Sequence, residues 1–256
     1  MNTIKVDYQK RHAVVYLDNG KVNAINTALA QEIKEIFLEL DKNDKVEGVI
    51  LAGRPHGFSA GLDVAHLAVI NQEEGKEFWE QYLGMLQALV RFRKPFVCAI
   101  TGYAPAGATI ITLCADYRVM GKGKKHVVGM HEFRMSMQIP EMMCDVYTYY
   151  LGEKVAWEAV QQCKLYNSDQ ALAAGLVNES VEVEEVMERA EKQLKFLMNL
   201  HPPVFQKSKR YFRKGLLALV DKNIDAMTTE ISNDWQDPFV QANTKAFLAS
   251  LQRKKK

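Results

Sequence analysis

The chain carries two unbroken apolar runs of strand length, Val49-Ile50-Leu51-Ala52 and Phe96-Val97-Cys98-Ala99-Ile100, and each leads into a glycine-containing stretch of small residues. Four or five consecutive apolar positions bounded by turn residues read as a strand buried in a core. After the first run, Gly53-Arg54-Pro55-His56-Gly57 breaks the chain and residues 58–63, Phe-Ser-Ala-Gly-Leu-Asp, follow. After the second come residues 102–108, Gly-Tyr-Ala-Pro-Ala-Gly-Ala. Small residues past a strand end let backbone N–H groups face outward unobstructed. Two such groups converging on one point would make an anion or oxyanion site, and that convergence is the first expectation.

With 256 residues, 48% of them hydrophobic, the chain can bury a large core as one domain or a domain with an appendage. Its 33 basic and 31 acidic residues give a net charge of +2, too balanced for a nucleic-acid partner. The short tail Arg253-Lys254-Lys255-Lys256 reads as a solvated end. Cys98, Cys114, Cys144 and Cys163 have no close pairwise spacing, and three lie in apolar surroundings. They read as reduced core thiols rather than disulfides or a metal site, which favours a reducing compartment. Residues 1–7 pass almost at once into strand-like alternation without an apolar or Arg-rich leader, and no apolar run nears the roughly 20 residues of a spanning helix. The expectation is a soluble, cytoplasmic protein with no membrane partner.

In chain order, residues 4–8 and 12–17 read as a hairpin. Thr27 is the predicted N-cap of a helix whose stripe is Leu29, Ile33, Ile36, Phe37 and Leu40. The first apolar strand follows, and then a helix over 73–91 with Phe78, Tyr82, Met85, Leu86 and Leu89 on one face, stopped by Lys94-Pro95. Strand and helix therefore alternate. Short strands are predicted at 116–120 and 126–129, then a loop carrying Glu132, a helix beginning near Pro140-Glu141, a helix N-capped by Ser168 and stopped by Gly175, and a strand over 176–181. Beyond Glu182 the pattern is helical: one helix ends near Leu197, residues 204–219 form a second, and the last helices carry Trp235, Phe239, Phe247 and Leu248. A boundary near 200 separates a core, 1–200, from a helical region, 201–256, whose large apolar residues suit docking or oligomerisation.

Residues 58–63, Gly102 through Gly107, and Cys114-Ala115-Asp116-Tyr117-Arg118 together resemble the crotonase superfamily, also called the enoyl-CoA hydratase/isomerase family. The resemblance covers essentially the whole chain. Ala104-Pro105-Ala106-Gly107 and the loop Lys21-Val22-Asn23-Ala24 are most similar to the mitochondrial-type Δ3,Δ2-enoyl-CoA isomerases. It implies an α/β fold, a crotonase-like spiral of ββα turns with a helical C-terminal trimerisation region, assembled as a homotrimer or a dimer of trimers. It implies an acyl-CoA thioester as substrate, coenzyme A being part of that substrate, with no separate cofactor and no metal. The thioester oxygen would be held by the backbone N–H groups of Leu62 and Gly107, with Ala60, Gly61, Asp63, Val64 and Ile110 beside the substrate.

Hydratases of this family use two glutamates, and the first would fall at Ile110, which can neither accept a proton nor orient water. The second matches Glu132, where the isomerases carry their single base. The resemblance therefore implies 3-enoyl-CoA to 2-enoyl-CoA isomerisation, with Glu132 raised by an apolar pocket that Ile110 and Phe133 help to wall. Glu141 has two readings, a helix first-turn acid or a second carboxylate. His131 is expected on the surface, and Asp63 is expected to fix its turn by local backbone bonds. Lys21 is either a phosphate partner or a solvated lysine. Other open readings are a different enolate reaction (dienoyl-CoA isomerase, hydratase, decarboxylase or thioesterase) and a non-catalytic acyl-CoA binder.

Overall fold

The computed structural model describes residues 1–253; the expected basic end at Lys254, Lys255 and Lys256 lies outside the described residues. A hairpin opens the chain, β1 (Ile4–Tyr8) against β2 (His12–Leu17), with Ile4 opposite Leu17. Helix α1 (Thr27–Lys42) is capped by Asn26, not Thr27, because the Asn26 carboxamide accepts from Leu29 N–H while Thr27 is already helical. Next come β3 (Gly48–Ala52), β4 (His56–Gly57), a short α2 (Val64–Leu67) and the long α3 (Gln72–Arg91), which starts in an Asn71/Glu74 capping box. The unit repeats as β5 (Phe96–Ile100), β6 (Gly102–Pro105) and α4 (Gly107–Leu113), and again as β7 (Tyr117–Gly121), β8 (Val128–Gly129), a 3₁₀ turn over Glu132–Met135 and α5 (Glu141–Leu151).

Each of these three turns of chain lays one strand in a large sheet, one in a small sheet, and then crosses back by helix. The large sheet has the order β1-β2-β3-β5-β7-β9, where β9 is Glu179–Val181, and every pair after the hairpin is parallel. The small sheet is β4-β6-β8, also parallel. Parallel neighbours need a crossover, so the repeating strand, strand, helix order winds into a spiral.

The unbroken apolar runs have a direct cause. Val49 and Leu51 of β3 face the core shared with α1 and α3, while Ile50 and Ala52 face α8 (Val186–Met198) through Val186, Ala190, Leu194 and Met198. With both sheet faces covered, no strand position is left for a polar residue.

Between α5 and α8 lie α6 (Glu153–Gln161), which the sequence reading lacked, and α7 (Ser168–Ala173). Asn167 caps α7 in place of the expected Ser168, again because its side chain reaches the third helical N–H. The expected strand over 176–181 shortens to β9, since Leu176 N–H is spent on Ala171 O behind α7. The predicted helix over 204–219 is two, α9 (Pro202–Phe212) and α10 (Lys214–Val220), parted at Arg213, whose guanidinium is drawn to Asp116 and to Cys114 O. Helices α11 (Ile224–Trp235) and α12 (Pro238–Arg253) end the described chain. Trp235 is not an exposed docking residue: α11 lies along α3, and the indole is buried with its N–H donating to Leu67 O at 2.8 Å. All four cysteines are free, but only Cys98 and Cys114 are core residues.

Candidate active site

Residues 58–63 are pinned almost group by group. Phe58 and Ser59 N–H donate to Tyr103 O, Ala60 N–H to Val22 O, Gly61 N–H to the Ser59 hydroxyl and Asp63 N–H to Ile25 O. Ser59 Oγ in turn donates to Asn23 O at 2.6 Å, and the Asn23 amide to Phe58 O at 3.0 Å. In this stretch only Leu62 N–H has no acceptor among the described residues. Buried amides are nearly always paired, so a single free one inside so fully bonded a loop is a donor held in reserve.

The second loop meets the first. Gly61 has φ +85°, and a Cβ there would stand 2.9 Å from Pro105 O and 3.2 Å from Ala106 Cβ. A Cβ on Gly107 would strike the Leu62 side chain and the Tyr82 hydroxyl, each at 2.9 Å. Both positions need glycine, because the two loops are in contact there. Ala106 holds a strained φ of 56° and ψ of −132°, tied by its N–H to Gly129 O, and so turns Gly107 into the first residue of α4. A first helical N–H has no partner within its helix and points along the positive end of the helix dipole. Thus the structure brings together the two segments singled out in the sequence, with Leu62 against Gly107.

Glu132 opens the 3₁₀ turn after β8 and is 0% exposed, and neither carboxylate oxygen has a hydrogen-bond partner among the described residues. Burial pushes its pKa up to about 7, only partly opposed by its own amide and that of His131, which point toward the carboxylate without forming hydrogen bonds. Its charge is felt by buried Tyr82, whose pKa rises first through burial and then through Glu132, and by buried Tyr147, raised by burial, then by Tyr166 and, less, by Glu132. Tyr82 also donates to Gly107 O at 2.9 Å, so one side chain borders both the loop contact and the carboxylate.

The remaining predicted residues divide. Ile110 is fully buried one turn into α4. Phe133 points partly outward, edge-on to Trp157, and lines an apolar cavity of about 310 Å³ with Met130, Ile139 and Tyr147. Asp63 caps α2 by accepting from His66 N–H, with Val64 as that helix's first residue, and Ala60 is exposed on the loop's outer side. Lys21 is exposed in the turn that holds residues 58–60 and makes no ion pair among the described residues. Glu141 is the first residue of α5, 64% exposed and paired to Lys222 at 2.8 Å. It faces solvent, as a first-turn acid does. His131 differs from its surface expectation: it is half-buried, its Nδ1 lacks a partner among the described residues, and burial lowers its pKa.

Sequence reading missed the groups that hold the loops in place. Thr109 Oγ donates to Ala104 O at 2.6 Å and accepts from Gly129 N–H at 2.7 Å, clamping β6, α4 and β8 together. Asn23 and Ser59 do the same for residues 58–61. Apart from Ala104, these partners lie 20 to 36 residues away, so no local pattern announces them.

The enoyl-CoA hydratase/isomerase family profile matches residues 8–252. Mitochondrial enoyl-CoA delta isomerase 1 of Mus musculus is 30% identical over 249 residues, covering 95% of this chain and 84% of that one. Short-chain-enoyl-CoA hydratase of Clostridium acetobutylicum is 23% identical over 251 residues, covering 94% and 95%. The crystal structure of human mitochondrial delta3-delta2-enoyl-CoA isomerase superposes with a TM-score of 0.94 at 24% identity, covering 99% of this chain and all of that one. The fold is therefore the crotonase-type α/β spiral, and the chain belongs to the enoyl-CoA hydratase/isomerase family.

Proposed function

We propose that this protein shifts the double bond of a 3-enoyl-CoA thioester to the 2,3 position, with Glu132 as its single base. The observation that carries the reading is a sealed, unpartnered carboxylate held at about 7 beside Tyr82, the interior side chain that also borders the Leu62–Gly107 contact. In this mechanism the two amides bind the thioester oxygen. Glu132 takes a proton from C2, the electron pair of that C–H bond passes into the carbonyl, and the resulting dienolate oxygen is held by both donors. The same carboxyl returns the proton at C4 as the electrons move back, which leaves C2=C3. One proton leaves and one returns with no net redox change, so the reading calls for no metal or redox cofactor. Each backbone donor contributes about 2.7–4 kcal/mol to such a transition state.

Isomerisation is favoured over hydration by Ile110, an apolar residue where a hydratase carries its first glutamate, and by Glu141, which is engaged by Lys222. Ala60, Gly61, Asp63 and Val64 would flank the substrate, and Lys21 would reach a coenzyme A phosphate. A homotrimeric assembly through the helical end belongs to the same reading, supported by the exposed rings of Phe212 and Phe239. The test is a chain-length series of 3-enoyl-CoA substrates with 2-enoyl-CoA hydration as control. Glu132→Gln is expected to abolish isomerisation and keep acyl-CoA binding; undiminished turnover refutes the base assignment. A comparable loss in Glu141→Gln refutes the single-base mechanism.

A further inference from the structure

Helix α9 carries three cations, Lys207, Lys209 and Arg210, and no acid, Arg213 and Lys214 follow at once, and one stripe of the helix faces a second concave site. Pro203, Gln206, Lys207 and Arg210, spaced by three and four, line a cavity of about 570 Å³ closed on the other side by the end of α3 and the loop before β5. Arg93 precedes β5, whereas Gly102 through Gly107 follow it. The five residues of that strand alone span about 16 Å, so this cavity opens at the opposite end of the sheet from the thioester loops.

Six cations line it: Arg91, Arg93, Lys207, Lys209, Arg210 and Arg213. Asp221 answers Arg91, Asp41 answers Arg93, and Asp116 answers both Lys209 and Arg213. Six positive charges against three negative leave three in excess. Lys207 and Arg210 carry two of these, with only the Tyr211 ring as partner, at 5.8 and 5.7 Å, among the described residues. Lys209 is 7% exposed, donating to Lys94 O and Asp116, and burial holds its pKa down to about 8 despite that carboxylate. The floor is apolar, formed by Val90, Phe92 and Leu217.

A concave site of this volume suits a small molecule rather than a flat macromolecular surface, its guanidinium forks suit phosphate oxygens, and its apolar floor suits a ring. We propose that this cavity binds a phosphorylated ring compound of the nucleotide class, with Lys207 and Arg210 taking the phosphates and Phe92 and Leu217 backing the ring. The shared chemistry has two sources, a free nucleotide and the nucleotide end of coenzyme A.

Titration calorimetry on the full chain with inorganic pyrophosphate, adenosine diphosphate and adenosine 3′,5′-bisphosphate tests this. The nucleotides are expected to bind saturably and more tightly than pyrophosphate, with affinity falling as salt rises. The Lys207→Glu/Arg210→Glu double variant is expected to lose about tenfold or more in affinity and keep its thioester turnover. At pH 8 binding is expected to take up protons, because an added anion raises Lys209, which otherwise faces Asp116, Arg213 and Asp41. Preference for the 3′,5′-bisphosphate over the diphosphate would identify coenzyme A as the source, and the reverse a free nucleotide. Equal affinity in the double variant overturns the proposal. So does displacement of the nucleotide by saturating acyl-CoA when the variant still binds it, or a variant that changes only the assembly state of a chain that binds no nucleotide.

Discussion

Glu132→Gln tests the buried carboxylate without any substrate. Carrying a carboxyl from its ordinary 4.5 to about 7 on folding costs the ionised native state about 3 kcal/mol. The direction is fixed by proton counting. Between pH 4.5 and 7 the folded chain keeps a proton that the unfolded chain has lost, so the Glu132 contribution falls as pH rises through this window and is flat above it. Glutamine has no such titration. Its amide, equally unpartnered, adds an offset of about 1–3 kcal/mol that does not change with pH. Urea unfolding of both proteins at one concentration, from pH 4.5 to 8.5, should therefore show the variant gaining about 3 kcal/mol on the wild type as pH rises. Other carboxylates cancel in the difference. Stability curves that run parallel across the range would refute a carboxyl held near 7, whatever the activity data show.

For the wild type, kcat/KM toward a 3-enoyl-CoA should rise as a single ionisation near pH 7, because only the ionised carboxylate accepts the C2 proton; a flat profile from pH 5.5 to 8.5 contradicts this. Gly61→Ala should lose about 2 kcal/mol or more in a urea melt and lower kcat more than it raises KM, since the methyl meets Pro105 O at 2.9 Å on a backbone of φ +85°. A near-silent variant would mean that the loops are not locked together. Asp116→Ala should cost about 3–5 kcal/mol by thermal or urea melting, because it strands buried Lys209 and Arg213 and frees Phe96 N–H; a loss under 1 kcal/mol refutes Asp116 as their anchor.

Legibility in the sequence followed the range of the interaction concerned. The runs at 49–52 and 96–100 could be read as buried strands because double-sided burial leaves a purely apolar signature. The stripes of α1, α3 and α8 were readable for the same reason, one face at a time. Caps slipped by one residue at Asn26 and Asn167, where adjacent Asn and Thr or Ser compete and only side-chain reach decides. The start of α4 was hidden because Ala-Thr-Ile-Ile-Thr is as acceptable to a strand as to a helix. The contact of Leu62 with Gly107, the inward turn of Trp235 and the clamp by Thr109 depend on partners across the spiral, and no window of sequence contains both sides. The small residues after each strand suggested the pairing of the two loops, and the family resemblance named Leu62 and Gly107 as its donors; the geometry adds that every amide of the first loop except one is spent.

Helix α12 packs against the 3₁₀ turn that begins at Glu132 and against α2, just beyond Leu62, and Asn243 donates to Ser136 at 3.2 Å. The last described helix thus lies over a turn laid down by the third repeat of the spiral. During synthesis the two loops can meet once β6 and α4 have folded, whereas the contact of α12 with the turn at Glu132 forms only after α12 has been made. The two loops and the turn that bears the carboxylate are thus secured at different times, the loops first.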